Sequence, residues 1–152
     1  MASKRRLICA CACVWTSSSV ADAAVGDLQY TRFTPPPADN TEFGEDVAIE
    51  GDLLIVGVHR DATNGFDAGA IYIYDLPTGD LIGSYTPAAV DANDQFGGAV
   101  AVDGTRAVVG ARVTDSIATA AGAAYLLDIS NPASPTVIAP LIPSDLSGGD
   151  FF

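Results

Sequence analysis

Two stretches of this chain repeat one another without a gap at an offset of 53 residues. Phe43 to Gly57, FGEDVAIEGDLLIVG, returns as FGGAVAVDGTRAVVG at Phe96 to Gly110, and AGAIYIYD at Ala68 to Asp75 returns as AGAAYLLD at Ala121 to Asp128. Residues 43–75 match residues 96–128 at 12 of 33 positions, far above chance even for a sequence rich in Ala and Gly. A repeat of about 40 to 55 residues is the size of one propeller blade, so the offset identifies a single structural unit.

Within each unit the apolar residues have the period of strands. Val47 and Ile49 alternate with Ala48, Glu50-Gly51-Asp52 gives a tight turn, and Leu53 to Val58 runs as a near-continuous apolar strand. In the second copy Val100 and Val102 lead into Asp103-Gly104-Thr105, where the Asp-Gly pair is expected to supply the positive φ angles of a short hairpin, and Ala107 to Ala111 follows. A third strand is predicted over Ala70 to Asp75, with Tyr72 matching Tyr125, and a fourth over about Asp80 to Thr86 and about Pro135 to Leu141. Four antiparallel strands per unit is the count of a propeller blade. No segment has helical periodicity, and Gly and Pro recur too often for a useful helix. The fold class is therefore all-β: two blades of four antiparallel strands plus the start of a third.

The first residues belong to a different kind of segment. Lys4, Arg5 and Arg6 precede an apolar run from Leu7 to Trp15, and Ala21-Asp22-Ala23 is a small-x-small site, so residues 1–23 read as a signal peptide cleaved before Ala24. That predicts export. The apolar run is far shorter than the roughly 20 residues of a membrane span. Cys9, Cys11 and Cys13 all lie in this leader, leaving no disulfide framework in the mature chain; acylation of Cys11 or Cys13 is an alternative that leaves almost no apolar region before the cysteine. From Ala24 onward four arginines stand against 18 Asp and Glu, a net charge of −14 with no lysine. Such a surface repels nucleic acid and anionic lipid and favours cations and solubility.

The glycines and phenylalanines carry a resemblance. Phe43-Gly44 followed by Val56-Gly57-Val58, and Phe96-Gly97 followed by Val109-Gly110-Ala111, resemble the FG-GAP repeat of integrin alpha-chain propellers and of many exported microbial proteins. The resemblance covers residues 39–143. His59 and Arg112 replace the proline of the family's Gly-Ala-Pro, and Ala68 and Ala121 its Ser before Gly. The expected geometric roles are a Phe wedged between neighbouring blades, and Gly57 and Gly110 permitting close backbone approach or a bulge. Residues 24–38, with Pro35-Pro36-Pro37, read as an extended lead-in; 39–90 as blade 1; 91–143 as blade 2; and 144–152, comparable with Asp91 to Phe96, as the start of a blade 3. A propeller closes with about four to eight blades, so further blades or another chain are needed to complete a ring, and the sequence reads as a fragment.

Integrin-type blades carry a calcium loop between their first two strands; here the bare turns Glu50-Gly51-Asp52 and Asp103-Gly104-Thr105 occupy that place. The calcium candidate is instead Asp61-Ala62-Thr63-Asn64-Gly65-Phe66-Asp67, in which Asp61, Asn64 and Asp67 offer hard oxygen ligands around a glycine, against a plain solvated loop as the alternative. Its counterpart, Thr114 to Ala120, loses most of those oxygens.

Chemistry is not visible. His59 is the only histidine, no Ser sits in a Gly-x-Ser-x-Gly elbow, and the Glu45-Asp46 pair is unexceptional at this acidity. His59 is read as ending a strand without an orienting partner. Tyr74-Asp75-Leu76-Pro77-Thr78-Gly79 resembles the turn of quinoprotein-like blades, but the only Trp is Trp15 in the leader, and Pro and Gly suffice to explain the turn. Two functions follow: a secreted, non-catalytic binding module for protein or glycan partners, or a propeller appendage of a larger exported enzyme.

Overall fold

A computed structural model describes residues 42–115 and 118–152. The leader, its cleavage before Ala24 and the lead-in fall outside the described residues. Eight strands follow in order: β1 Val47–Glu50, β2 Leu53–Val58, β3 Ala70–Asp75, β4 Leu81–Tyr85, β5 Phe96–Asp103, β6 Arg106–Ala111, β7 Ala123–Asp128 and β8 Thr136–Leu141. They form two four-stranded antiparallel meanders, β1-β2-β3-β4 and β5-β6-β7-β8, with no helix among the described residues. The two sheets do not close on each other, as expected of propeller blades short of a ring.

Turn chemistry sets the registers. Glu50 pairs with Leu53 and Asp103 with Arg106, so Gly51-Asp52 and Gly104-Thr105 are the two-residue loops. Gly51 and Gly104 have φ of 56° and 54°, and neither Asp52 nor Thr105 has positive φ. The predicted Asp103-Gly104 pair is thus displaced by one: Asp103 ends its strand, and the single positive φ at the first central residue is the sign pattern of a type II′ hairpin. In the β3–β4 turn, Asp75 Oδ1 accepts a hydrogen bond from the Thr78 amide at 2.8 Å and Gly79 has φ of 77°. Irregularities recur in register too, between Ile73 and Tyr74 and between Leu126 and Leu127. Beyond that point Gly83 pairs Ile73 and Ala139 pairs Leu126, so the second unit is longer, and its extra residues all lie in the β7–β8 connection. Pro140 sits in β8, an edge strand, where a missing amide donor is tolerated.

The principal core lies between the blades. Ile55, Ile71 and Ile73 on one face of the first sheet share a buried cluster with Phe96, Val109, Tyr125 and Leu127 of the second. Phe96 is fully buried and meets Tyr125 edge-on, with ring centroids 5.7 Å apart; Phe43 makes the equivalent contact with Tyr72 at 6.2 Å. The wedge role holds for Phe96, and it explains why β5 starts four residues earlier than its apolar alternation suggested. Its backbone forms a parallel bridge to Gly69, and a two-residue irregularity separates Phe96 from Ala99. At Gly57 a Cβ would overlap the Gly97 carbonyl, so only glycine lets β5 cross here. Gly110 has no such neighbour, its nearest being Ala99 Cβ at 3.5 Å.

A side-chain hydrogen bond also crosses. Asp46 Oδ2 accepts the Val100 amide at 2.7 Å while Oδ1 accepts the Val47 amide at 2.9 Å. An acidic pair read as unexceptional therefore supplies a hydrogen bond between blades.

Candidate functional site

Three places among the described residues bear on function. The first is the loop between β2 and β3. Asp61 is buried, its Oδ1 accepting the Thr63 amide at 2.8 Å and its Oδ2 the Tyr72 hydroxyl at 2.7 Å. Burial, and then the adjoining Asp61 carboxylate, push the Tyr72 phenol well above its ordinary range; burial alone pushes Tyr74 up to about 12. Asp61 and Asn64 both line a polar notch of about 60 Å³ with Thr63, Tyr72, Ser84 and Thr86. Asp67 is not part of that lining. It has φ of 50°, and its carbonyl accepts the Gln95 amide at 3.0 Å. The fold therefore brings two of the three candidate calcium ligands together and uses the third through its backbone.

The second place is the Phe43-Gly44 turn. The Gly44 amide donates to the Gly57 carbonyl at 3.2 Å, and the Gly57 amide to the Asp46 carbonyl at 2.8 Å, so the turn is pinned beside the end of β2. His59 follows that end and is 3% exposed. Its Nε2 lies 3.4 Å from Glu42 Oε2 and its Nδ1 lies 4.0 Å from Glu45 Oε2. Arg60 holds the other Glu42 oxygen at 2.7 Å. The histidine read as lacking a partner is flanked by two carboxylates. Sequence spacing hid this because Glu42 and His59 meet only through the pairing of the turn with β2, as their repeat counterparts Gln95 and Arg112 meet at 2.6 Å in the second blade.

The third place is the outer face of the second sheet. Ile55 in the first blade is fully buried, whereas Val108, its repeat counterpart, is 37% exposed. The fully buried Ile71 and Ile73 correspond to the half-buried Ala124 and Leu126. Val108, Gly110 and Ala124, with Phe151 and Phe152, line an open groove of about 410 Å³. At its margin residues 147–152 repeat what residues 91–96 do one unit earlier. Phe96 N donates to Ala68 O at 2.9 Å, and Phe152 N to Ala121 O at 3.0 Å; Asp94 Oδ2 accepts the Asp91 amide and Asp150 Oδ2 the Ser147 amide. Gly69 and Gly122 share φ of 86°, and a Cβ on either would collide with the phenylalanine backbone, Phe96 or Phe152.

Two four-stranded meanders stacked face to face, each opened by a Phe-Gly turn and joined by the same latch, define a repeat protein of the propeller-blade class. The FG-GAP repeat model matches residues 35–74 and 84–127, more than half of the chain, and the protein belongs to the FG-GAP repeat family. Modules of this family typically serve interactions rather than catalysis. No curated protein matches the chain. No helix among the described residues is long and apolar enough to cross a membrane.

Proposed function

We propose that this chain is an exported, non-catalytic FG-GAP interaction module that engages protein or glycan partners through the loops at one end of its blades. The observation that carries the reading is the contrast between buried Ile55 and exposed Val108 at equivalent positions. A face that is core in one unit and surface in the next is built for another unit. In this reading residues 144–152 begin a third blade, and further blades, in the same polypeptide or another, cover Val108, Gly110 and Ala124. A strongly acidic, lysine-free surface from Ala24 onward keeps such a module soluble outside the cell and turns away nucleic acid.

Substitutions in the β2–β3 and β6–β7 loops are expected to abolish partner capture without altering the strand signal in circular dichroism. If capture is lost only together with that signal, the loops are not the binding surface. Val108→Asp is expected to prevent association with a neighbouring blade while leaving both sheets intact, read by sedimentation velocity. The intact mass of the natively exported polypeptide separates this reading from a propeller appended to an enzyme. A few blades, on the order of 40 kDa, fit the module, and a substantially larger chain with a catalytic domain fits the appendage.

A further inference from the structure

We propose that His59, Glu42 and Glu45 form a zinc site beside the first Phe-Gly turn, apart from the Asp61 to Asp67 run considered for calcium. One ligand atom from each of the three residues lies within 4.8 Å of the others. The imidazole is the fixed point. Its side chain is 4% exposed, seated at the end of β2, and its Nδ1 is buried with no hydrogen-bond partner among the described residues. That nitrogen points toward Glu45 Oε2 at 4.0 Å, too far for a hydrogen bond. A buried ring nitrogen with nothing to bond is costly, and metal ligation satisfies it.

The two carboxylates are the adjustable points. Glu42 and Glu45 are about half exposed, 46% and 45%, so both can rotate and solvent can reach the site. A tetrahedral zinc with bonds of about 2.0–2.2 Å needs roughly 3.4 Å between ligand atoms. From Nδ1 the approach of Glu45 Oε2 is 4.0 Å, and the ligand atoms of the three residues lie within 4.8 Å of one another, so the contraction falls on the flexible glutamate side chains. Arg60 engages Glu42 Oε1 and turns Oε2 toward the imidazole, orienting it as an outer partner orients a metal ligand. With the imidazole neutral, as a ligand must be, two carboxylates and one guanidinium leave a net charge of −1 for the cation. An imidazole with two carboxylates selects zinc over calcium, which takes six to eight oxygens. Three protein ligands leave a fourth position for water.

The second blade supplies an internal control. Gln95, Gly98 and Arg112 stand where Glu42, Glu45 and His59 stand in the first, and Arg112 Nε donates to Gln95 Oε1 at 2.6 Å. The same contact between turn and strand end is thus made there without a ligand set. Arg112 is exposed where His59 is buried, so the second blade shows the turn held without a ligand set at an open position.

The experiment adds zinc alone to the chain carrying Cys9→Ser, Cys11→Ser and Cys13→Ser, so that no thiolate competes. Equilibrium dialysis is expected to show one tightly held zinc per chain, and cobalt in its place visible absorption bands of a low-coordinate site. Glu45→Gln weakens uptake at least tenfold. Glu42→Gln, Glu45→Gly and His59→Arg together, the second-blade set, abolish it, with the strand signal of the metal-free variant read alongside. Wild-type uptake no greater than that of the triple variant overturns the proposal, as does displacement of the zinc by equimolar calcium. Should the triple variant fail to fold, His59→Gln replaces it under the same two criteria.

Discussion

Single atoms decide whether two blades can approach. A methyl group on Gly57 meets the Gly97 carbonyl and Val100 Cγ2, whereas one on Gly110 finds only Ala99 Cβ at ordinary contact distance. Gly57→Ala is therefore expected to cost roughly 1–3 kcal/mol through overpacking and Gly110→Ala to stay within about 0.5 kcal/mol, both read from urea denaturation midpoints. An equal loss at the two positions would mean that the outer face is covered in solution. Two carboxylates set opposite slopes of stability with acid. Asp128 is held down to about 2, chiefly by the Ser130 amide and then by Arg106. Its ionised form is favoured in the folded state, so its contribution is present above the unfolded carboxylate value of about 3.9 and is lost as pH falls through about 2. Asp94 goes the other way: burial raises it, so its contribution favours the fold at low pH and disappears as pH rises through its folded value. Asp128→Asn should flatten acid denaturation between pH 4 and 2, and Asp94→Asn should flatten the slope above that window; no change in either curve would refute the assignments.

At the level of strands and loops, period-two alternation and recurring Gly-centred turns made all eight strands legible to within a residue or two, except where β5 begins. That exception has a cause. Phe96 joins β5 by pairing with Ala111 across a two-residue irregularity and also bridges Gly69, 27 positions earlier, and no local pattern encodes such pairings. The Asp46 bond to Val100 and the carboxylates around His59 were opaque for the same reason, since each depends on one element lying across another. The β2–β3 loop was legible as oxygen-rich, but the sequence could not say that the Asp61 oxygens already accept hydrogen bonds from Thr63 and Tyr72. Asp61→Ala is accordingly expected to cost about 1–3 kcal/mol by leaving buried donors unpaired, whether or not calcium binds. Calcium binding by Asp61, Asn64 and Asp67 is a separate matter: a rise in melting temperature at millimolar calcium would support it by mass action, and its absence in the wild-type chain would refute it.

For the molecule as a whole, stability is a sum over units and the joints between them. Extending the chain after Phe152 with a second copy of residues 97–152 should bury Val108, raise the urea midpoint and steepen the transition, because the denaturant slope follows the surface exposed on unfolding. An extended chain with the midpoint and slope of the original would show that the added unit does not dock. The joint itself sets no limit on how many times it is used. Phe96 on Gly69 and Phe152 on Gly122 are held by the same backbone bonds, although the side chains around them differ. Duplication or deletion of a whole unit at that point regenerates the same backbone bonds on either side, so a gene of this kind can lengthen or shorten by recombination while keeping the main-chain part of the joint.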